Sequence, residues 1–107
     1  LMAALVPEIH CKDIKKSVSF YTEILGFSVK YERPEEGFAY LQRGKAEIML
    51  DELGKTRDWI SGPLEYPFGR GVNFQIKIER AEEFYKELKN KGCEFFLDIE
   101  DKSYRCG

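Results

Sequence analysis

The spacing of apolar residues changes along this chain, and each change marks an element. Residues 4–11, "ALVPEIHC", alternate closely enough to predict a strand, and Asp13 follows as a helix N-cap. Ile14, Val18, Tyr21, Ile24 and Leu25 then fall at helical spacing, with Gly26 as the C-terminal stop. "FSVKYE" returns to a period of two and predicts a strand, and "RPEEG" predicts a turn. "FAYLQRG" and "KAEIMLD" predict two strands joined tightly at Arg43-Gly44-Lys45, so the first half reads βαβββ. A looser stretch from Glu52 to Gly71, rich in glycine, proline and aromatics, is longer than a simple connector in a small domain. Beyond it, "VNFQIKI" predicts a strand and "RAEEFYKELKNKG" a helix with Phe84, Tyr85 and Leu88 inward and Gly92 closing it. "CEFFLDIE" predicts the next strand.

The two halves repeat each other. "SFYTEILGFSVKYE" and "EFYKELKNKGCEFFLDIE" both run from a Phe-Tyr pair through a glycine into a β-like segment. The fold class that follows is α+β, with paired βαβββ modules: module one at about residues 4–52, a loop at 53–70, and module two at 71–107. Within these 107 residues module two lacks its last two strands. A three-stranded half-sheet would leave an exposed edge beside an open core. The reading therefore expects a further C-terminal segment of roughly 20–30 residues, the alternatives being that the last strands are disordered or supplied otherwise.

Strand alternation assigns side chains to faces. Ile9 and Cys11, Ala39 and Leu41, Ile48 and Leu50, and Phe74, Ile76 and Ile78 are expected on the helix-covered face. That leaves Val6, Glu8 and His10, then Phe38, Tyr40 and Gln42, then Glu47, Met49 and Asp51, and finally Asn73, Gln75 and Lys77 on the second face. A polar, acidic and aromatic face curved into a cleft suits a planar, cationic or amide-rich ligand. Without a ligand it is a half-solvated antiparallel sheet.

Composition narrows the functional classes. A formal net charge of -2 with 34% charged residues gives no basic surplus for nucleic acid or an anionic membrane. No apolar run approaches the roughly 20 residues of a membrane span, and the N-terminus lacks a signal-peptide pattern, so a cytoplasmic location is expected. Cys11, Cys93 and Cys106 show neither CxxC spacing nor an even count, which points to reduced thiols rather than disulfides or zinc. Phe20, Tyr21, Phe84 and Tyr85 are expected in the core. His10, the single histidine, is either a cleft hydrogen-bonder or a base partnered by Glu8 or Glu47.

The run D-x-x-x-S-x-x-F-Y-x-x-x-L-G-F from Asp13 to Phe27, the "GFAYLQRG" strand and the doubled βαβββ pattern together resemble the vicinal oxygen chelate superfamily of glyoxalases, bleomycin resistance proteins and dioxygenases. The resemblance covers essentially the whole chain and implies paired modules about a shared cleft, commonly in a dimer. Enzymes of that superfamily hold a divalent metal on the concave face. Their first three ligand positions fall here on Val6, Met49 and Asn73. Valine cannot ligate, a thioether is too soft for hard metals and one amide oxygen is weak. The resemblance therefore implies no metal, no cofactor and no catalytic residue, and it is strongest to the bleomycin resistance group. That group shares a proline where an exchanged N-terminal arm bends, here Pro7, and the E-G-F-A-x-L-x-R-G hairpin, here Glu36 to Gly44.

The implied function is binding and sequestration of a bleomycin-family antibiotic, by a homodimer with strand exchange at Pro7. Phe38, Tyr40, Glu47, Met49, Asp51, Trp59, Phe68, Asn73 and Gln75 are the expected ligand-binding residues. Flat heteroaromatic rings would stack on the aromatics, and a cationic tail would meet Glu8, Glu47 and Asp51. Phe38 either stacks on the ligand or plugs the hairpin. Trp59, Tyr66 and Phe68 either wall the crevice or anchor the loop, and Met49 either packs or touches ligand. Two alternatives stand beside this function: a metal-free binder of another small molecule, and a metal-dependent lyase or dioxygenase.

Overall fold

Four segments of the first half, each with apolar residues at every second position, pair into one sheet in the order β1-β4-β3-β2. They are β1 (Glu8–Cys11), β2 (Ser28–Arg33), β3 (Phe38–Arg43) and β4 (Ala46–Glu52). The computed structural model describes residues 4–55, 60, 62–69 and 71–95. It divides into two compact units, Leu1–Ile76 and Lys77–Gly107. β4 sits inside the sheet, parallel to β1 and antiparallel to β3, and β2 is an edge strand antiparallel to β3. The sheet is therefore mixed. The predicted βαβββ order of the first half is present, although β1 is shorter than the expected residues 4–11.

Register explains the core. Ala39 lies opposite Leu50 and Leu41 opposite Ile48, so the small and aliphatic residues of β3 and β4 share one face. Phe27 joins these four in the buried cluster, and Ile9, Ile14, Val18, Tyr21 and Leu25 pack against it. Leu41 and Leu50 are fully enclosed, each contributing on the order of 1.5–3 kcal/mol of burial. The face assignment for β1, β3 and β4 matches the expectation.

The helix that covers this face, α1 (Ile14–Ser19), begins as predicted. The Asp13 carboxylate accepts from the Lys15 and Lys16 N–H groups at 3.1 and 3.2 Å. The Ile14 N–H donates to Glu52 Oε2 at 3.0 Å, which ties the helix start to the end of β4. After Ser19 the helix widens into a π turn over Phe20–Ile24. There the Leu25 N–H reaches back to the Phe20 carbonyl and the Phe27 N–H to the Tyr21 carbonyl. The Thr22 hydroxyl donates to the Val18 carbonyl at 2.8 Å, adding a side-chain bond to the backbone ladder where the helix loosens. Tyr21 turns onto the core, its ring edge-on to Phe27 at 5.5 Å. Phe20, expected in the core, is instead 47% exposed. Successive residues project about 100° apart around a helix, so one of an adjacent pair must turn away from the sheet.

The second repeat departs from expectation. Residues 72–78 form no strand, and Phe74 and Ile76, expected to pack on helices, are 53% and 40% exposed. Alternation alone does not make a strand: the segment has no backbone ladder among the described residues, and Phe74 and Ile76 stay largely exposed. Helix α2 (Ala81–Asn90) does form. Phe84, Tyr85 and Leu88 are its least exposed residues, though half-buried rather than core, and Tyr85 stacks on Phe95 at 4.9 Å. Gly92 closes the helix in the left-handed region at φ +83°, as its position after the apolar periodicity predicts. Residues 93–95 form no strand, and the remainder of "CEFFLDIE" lies outside the described residues.

Candidate functional site

The face opposite the helix gathers five of the nine expected binding residues. Phe38 pairs with Asp51, Tyr40 with Met49, and Gln42 with Glu47 across β3 and β4. From β1, Glu8 and His10 come level with Met49 and Asp51. From β2, Tyr31 comes level with Tyr40. Phe38, Tyr40 and Asp51 are only 4%, 8% and 1% exposed, whereas Met49, Glu47, Glu8 and His10 keep partial access to solvent. The Phe38 ring stands edge-on to Tyr31 with centroids 6.2 Å apart.

At the centre of this face is a compact polar group. The Tyr40 hydroxyl donates to Glu47 Oε1 at 2.5 Å. The same oxygen lies 3.5 Å from the Lys30 ammonium, which also sits over the Tyr40 ring 5.2 Å from its centroid. By accepting a hydrogen bond from the hydroxyl, the Glu47 carboxylate favours the neutral phenol, and burial and its negative charge add to this; the Tyr40 pKa is pushed up to about 12. Burial likewise raises Tyr21 and Cys11 above their ordinary ranges.

Lys30 was not among the sequence candidates. A regular β2 alternates sides, so Lys30 and Tyr31 could not both serve one face. The register between β2 and β3 slips between Val29 and Tyr31, a bulge that sets two residues against one and re-aims the chain. Lys30 therefore reaches Tyr40 and Glu47 while Tyr31 reaches Phe38. Nothing in "FSVKYE" signals the bulge, since neither glycine nor proline marks it.

Along β1 the long loop supplies walls. Phe68 and Leu64 line a cavity of about 220 Å³ with Glu8, His10 and Phe74, and a second of about 710 Å³ with Cys11, Tyr21 and Leu50. Phe68 thus meets the β1 margin. Asn73 and Gln75, expected to project from a strand, stand exposed in the irregular 72–78 segment. Trp59 lies outside the described residues.

The positions that would hold the superfamily's metal do not fit one. Val6 is a half-buried hydrocarbon, Met49 offers only a thioether and Asn73 is exposed away from any strand. Among the described residues, no three His, Cys, Asp or Glu side chains converge as ligands. Nor is any helix among them long and apolar enough to cross a membrane.

Comparison with known proteins agrees with this architecture. Residues 4–102 match the profile of the Glyoxalase/Bleomycin resistance protein/Dioxygenase superfamily. A bleomycin resistance protein of Geobacillus stearothermophilus is 30% identical over 99 residues, covering 85% of this chain and 73% of that protein. One of Staphylococcus aureus (strain MRSA252) matches with the same figures. A crystal structure of a glyoxalase/bleomycin resistance protein/dioxygenase from Nocardioides shares the fold, with a TM-score of 0.69, 24% identity, and coverage of 94% of this chain and 70% of that one.

Proposed function

We propose that this chain, which belongs to the Glyoxalase/Bleomycin resistance protein/Dioxygenase superfamily, binds and sequesters a bleomycin-family glycopeptide antibiotic without modifying it. The observation that carries the reading is the 30% identity to bleomycin resistance proteins over 85% of the chain. It is supported by a sheet face where Tyr40, Glu47 and Met49 stand together. A flat heteroaromatic ring gains by stacking on Tyr40, Trp59 or Phe68, and a cationic tail gains from the acidic residues of this face. Phe38 and Asp51 lie beneath that surface and support it. Asn73 and Gln75 would contribute if residues 71–107 formed the second module and turned them to the ligand. Sequestration needs no nucleophile or metal, consistent with Val6, Met49 and Asn73 at the ligand positions.

A homodimer belongs to this reading. In the single chain the Pro7 carbonyl accepts from the Met49 N–H at 2.8 Å. An arm exchanged at Pro7 would keep that bond and make it between subunits. A metal-free binder of another small molecule, a cation, is the second reading, favoured by the ammonium already lodged between Tyr40 and Glu47.

Titration with metal-free and copper-loaded bleomycin, by calorimetry and by tryptophan fluorescence, tests the function. Saturable binding at micromolar or tighter, near one drug per subunit, is expected. Absence of heat and of quenching up to high micromolar drug would exclude it.

A further inference from the structure

We infer that the Tyr40 ring and the Glu47 carboxylate form a subsite for an organic cation, and that Lys30 occupies it as an internal stand-in which ligand displaces. The inference deepens the proposed function, because it presumes that this sheet face receives the ligand. The group the subsite would take is an alkylammonium or a guanidinium.

The geometry states the preference directly. An ammonium bound by this site needs an aromatic face and a carboxylate within reach of each other. Lys30 Nζ finds both, 5.2 Å from the Tyr40 centroid and 3.5 Å from Glu47 Oε1. The Tyr40 hydroxyl, bonded to that same oxygen at 2.5 Å, holds ring and carboxylate in fixed relation whether or not the cation is present. The cage is thus built by β3 and β4, and the cation is delivered separately by the bulge in β2.

The Lys30–Glu47 ion pair is also a weak one. The Lys30 side chain is 29% exposed against 11% for Glu47, and partly exposed ion pairs contribute little net stability because they order a long side chain in competition with water. Arg33 makes an instructive contrast on the same strand. Its guanidinium lies over Tyr31 at 5.3 Å but also donates to the Tyr31 hydroxyl and, at 3.2 Å, to Glu36. That cation is bound into the outer edge of the sheet, whereas Lys30 reaches inward from it. When Lys30 swings out, Glu47 stays bonded to the Tyr40 hydroxyl, and Glu8 on β1, level with Met49, stands on the same face. A ligand that must evict Lys30 binds with an apparent affinity reduced by the fraction of time the subsite is open.

The test measures binding of tetramethylammonium and of bleomycin to wild type, Lys30→Met, Lys30→Gln and Glu47→Gln. Tyr40 ring resonances report occupancy of the subsite, and urea unfolding confirms an intact fold. Both Lys30 variants are expected to bind either cation about two- to tenfold tighter, and Glu47→Gln about tenfold weaker. Unchanged or weaker binding by both Lys30 variants, with folding intact, overturns the stand-in. Bleomycin binding equally well to all four proteins would sink the subsite and leave the antibiotic reading standing. Tetramethylammonium binding without bleomycin binding would do the reverse, and silence from both removes both.

Discussion

Tyr40 shows how one residue can carry both structure and recognition. Its ring is buried among β-strand neighbours, yet its hydroxyl is satisfied by Glu47. A pKa near 12 in the folded state, against about 10 for an exposed tyrosine, links that bond to stability. The unfolded phenol ionises first, so the contribution is complete below about pH 10 and disappears as pH rises from there towards 12. Urea unfolding at pH 9 to 11.5 is expected to show wild type losing more stability across this range than Tyr40→Phe. Parallel losses in the two proteins would mean that the phenol is not protected. The sequence alone placed Tyr40 and Glu47 on one face by counting in twos, but could not show that they bond to each other, because hairpin register decides which residues stand close enough.

Between elements, a contact that ties the end of the helical segment to the sheet depends on two residues with ordinary roles in the sequence. Gly26 reads as a helix stop and Arg43 as the last residue of a strand. In the structure the Arg43 guanidinium donates to the Leu25 carbonyl at 2.6 Å, satisfying a helix-end acceptor from β3. Gly26 has a φ of +76°, and a Cβ there would lie 2.5 Å from Arg43 Nη1. Gly26→Ala must therefore adopt a left-handed backbone and displace the capping arginine. A loss of about 2–3 kcal/mol is expected by thermal or urea unfolding, with roughly half of it absent in an Arg43→Ala background. The helix stop was legible because glycine is the residue that tolerates that φ. The arginine cap was not, being a contact across 18 residues of sequence. The π turn and the β2 bulge were equally silent, since each inserts a residue into an element without altering its composition.

For the molecule as a whole, the chain divides after Ile76, within the 72–78 segment that forms no strand. The first unit has a paired sheet, a capped helix and a buried cluster. Residues 72–78 have strand-like alternation with Val72, Phe74 and Ile76 exposed to solvent. Hydrogen exchange is expected to protect the amides of β3 and β4 by orders of magnitude more than those of 72–78, because exchange follows backbone bonding and burial. Strong protection at Phe74 and Ile76 would show that the segment has found a strand partner in solution. What the sequence determined by itself was everything that depends on neighbours along the chain: the elements of the first half, the Asp13 cap, the stops at Gly26 and Gly92, and the two faces of β1, β3 and β4. Only the tertiary structure decided which of Phe20 and Tyr21 turns inward, that Lys30 joins Tyr40 and Glu47, and that 72–78 forms no strand among the described residues. Those outcomes depend on partners distant in the chain, whose approach is governed by sheet register and packing rather than by local periodicity.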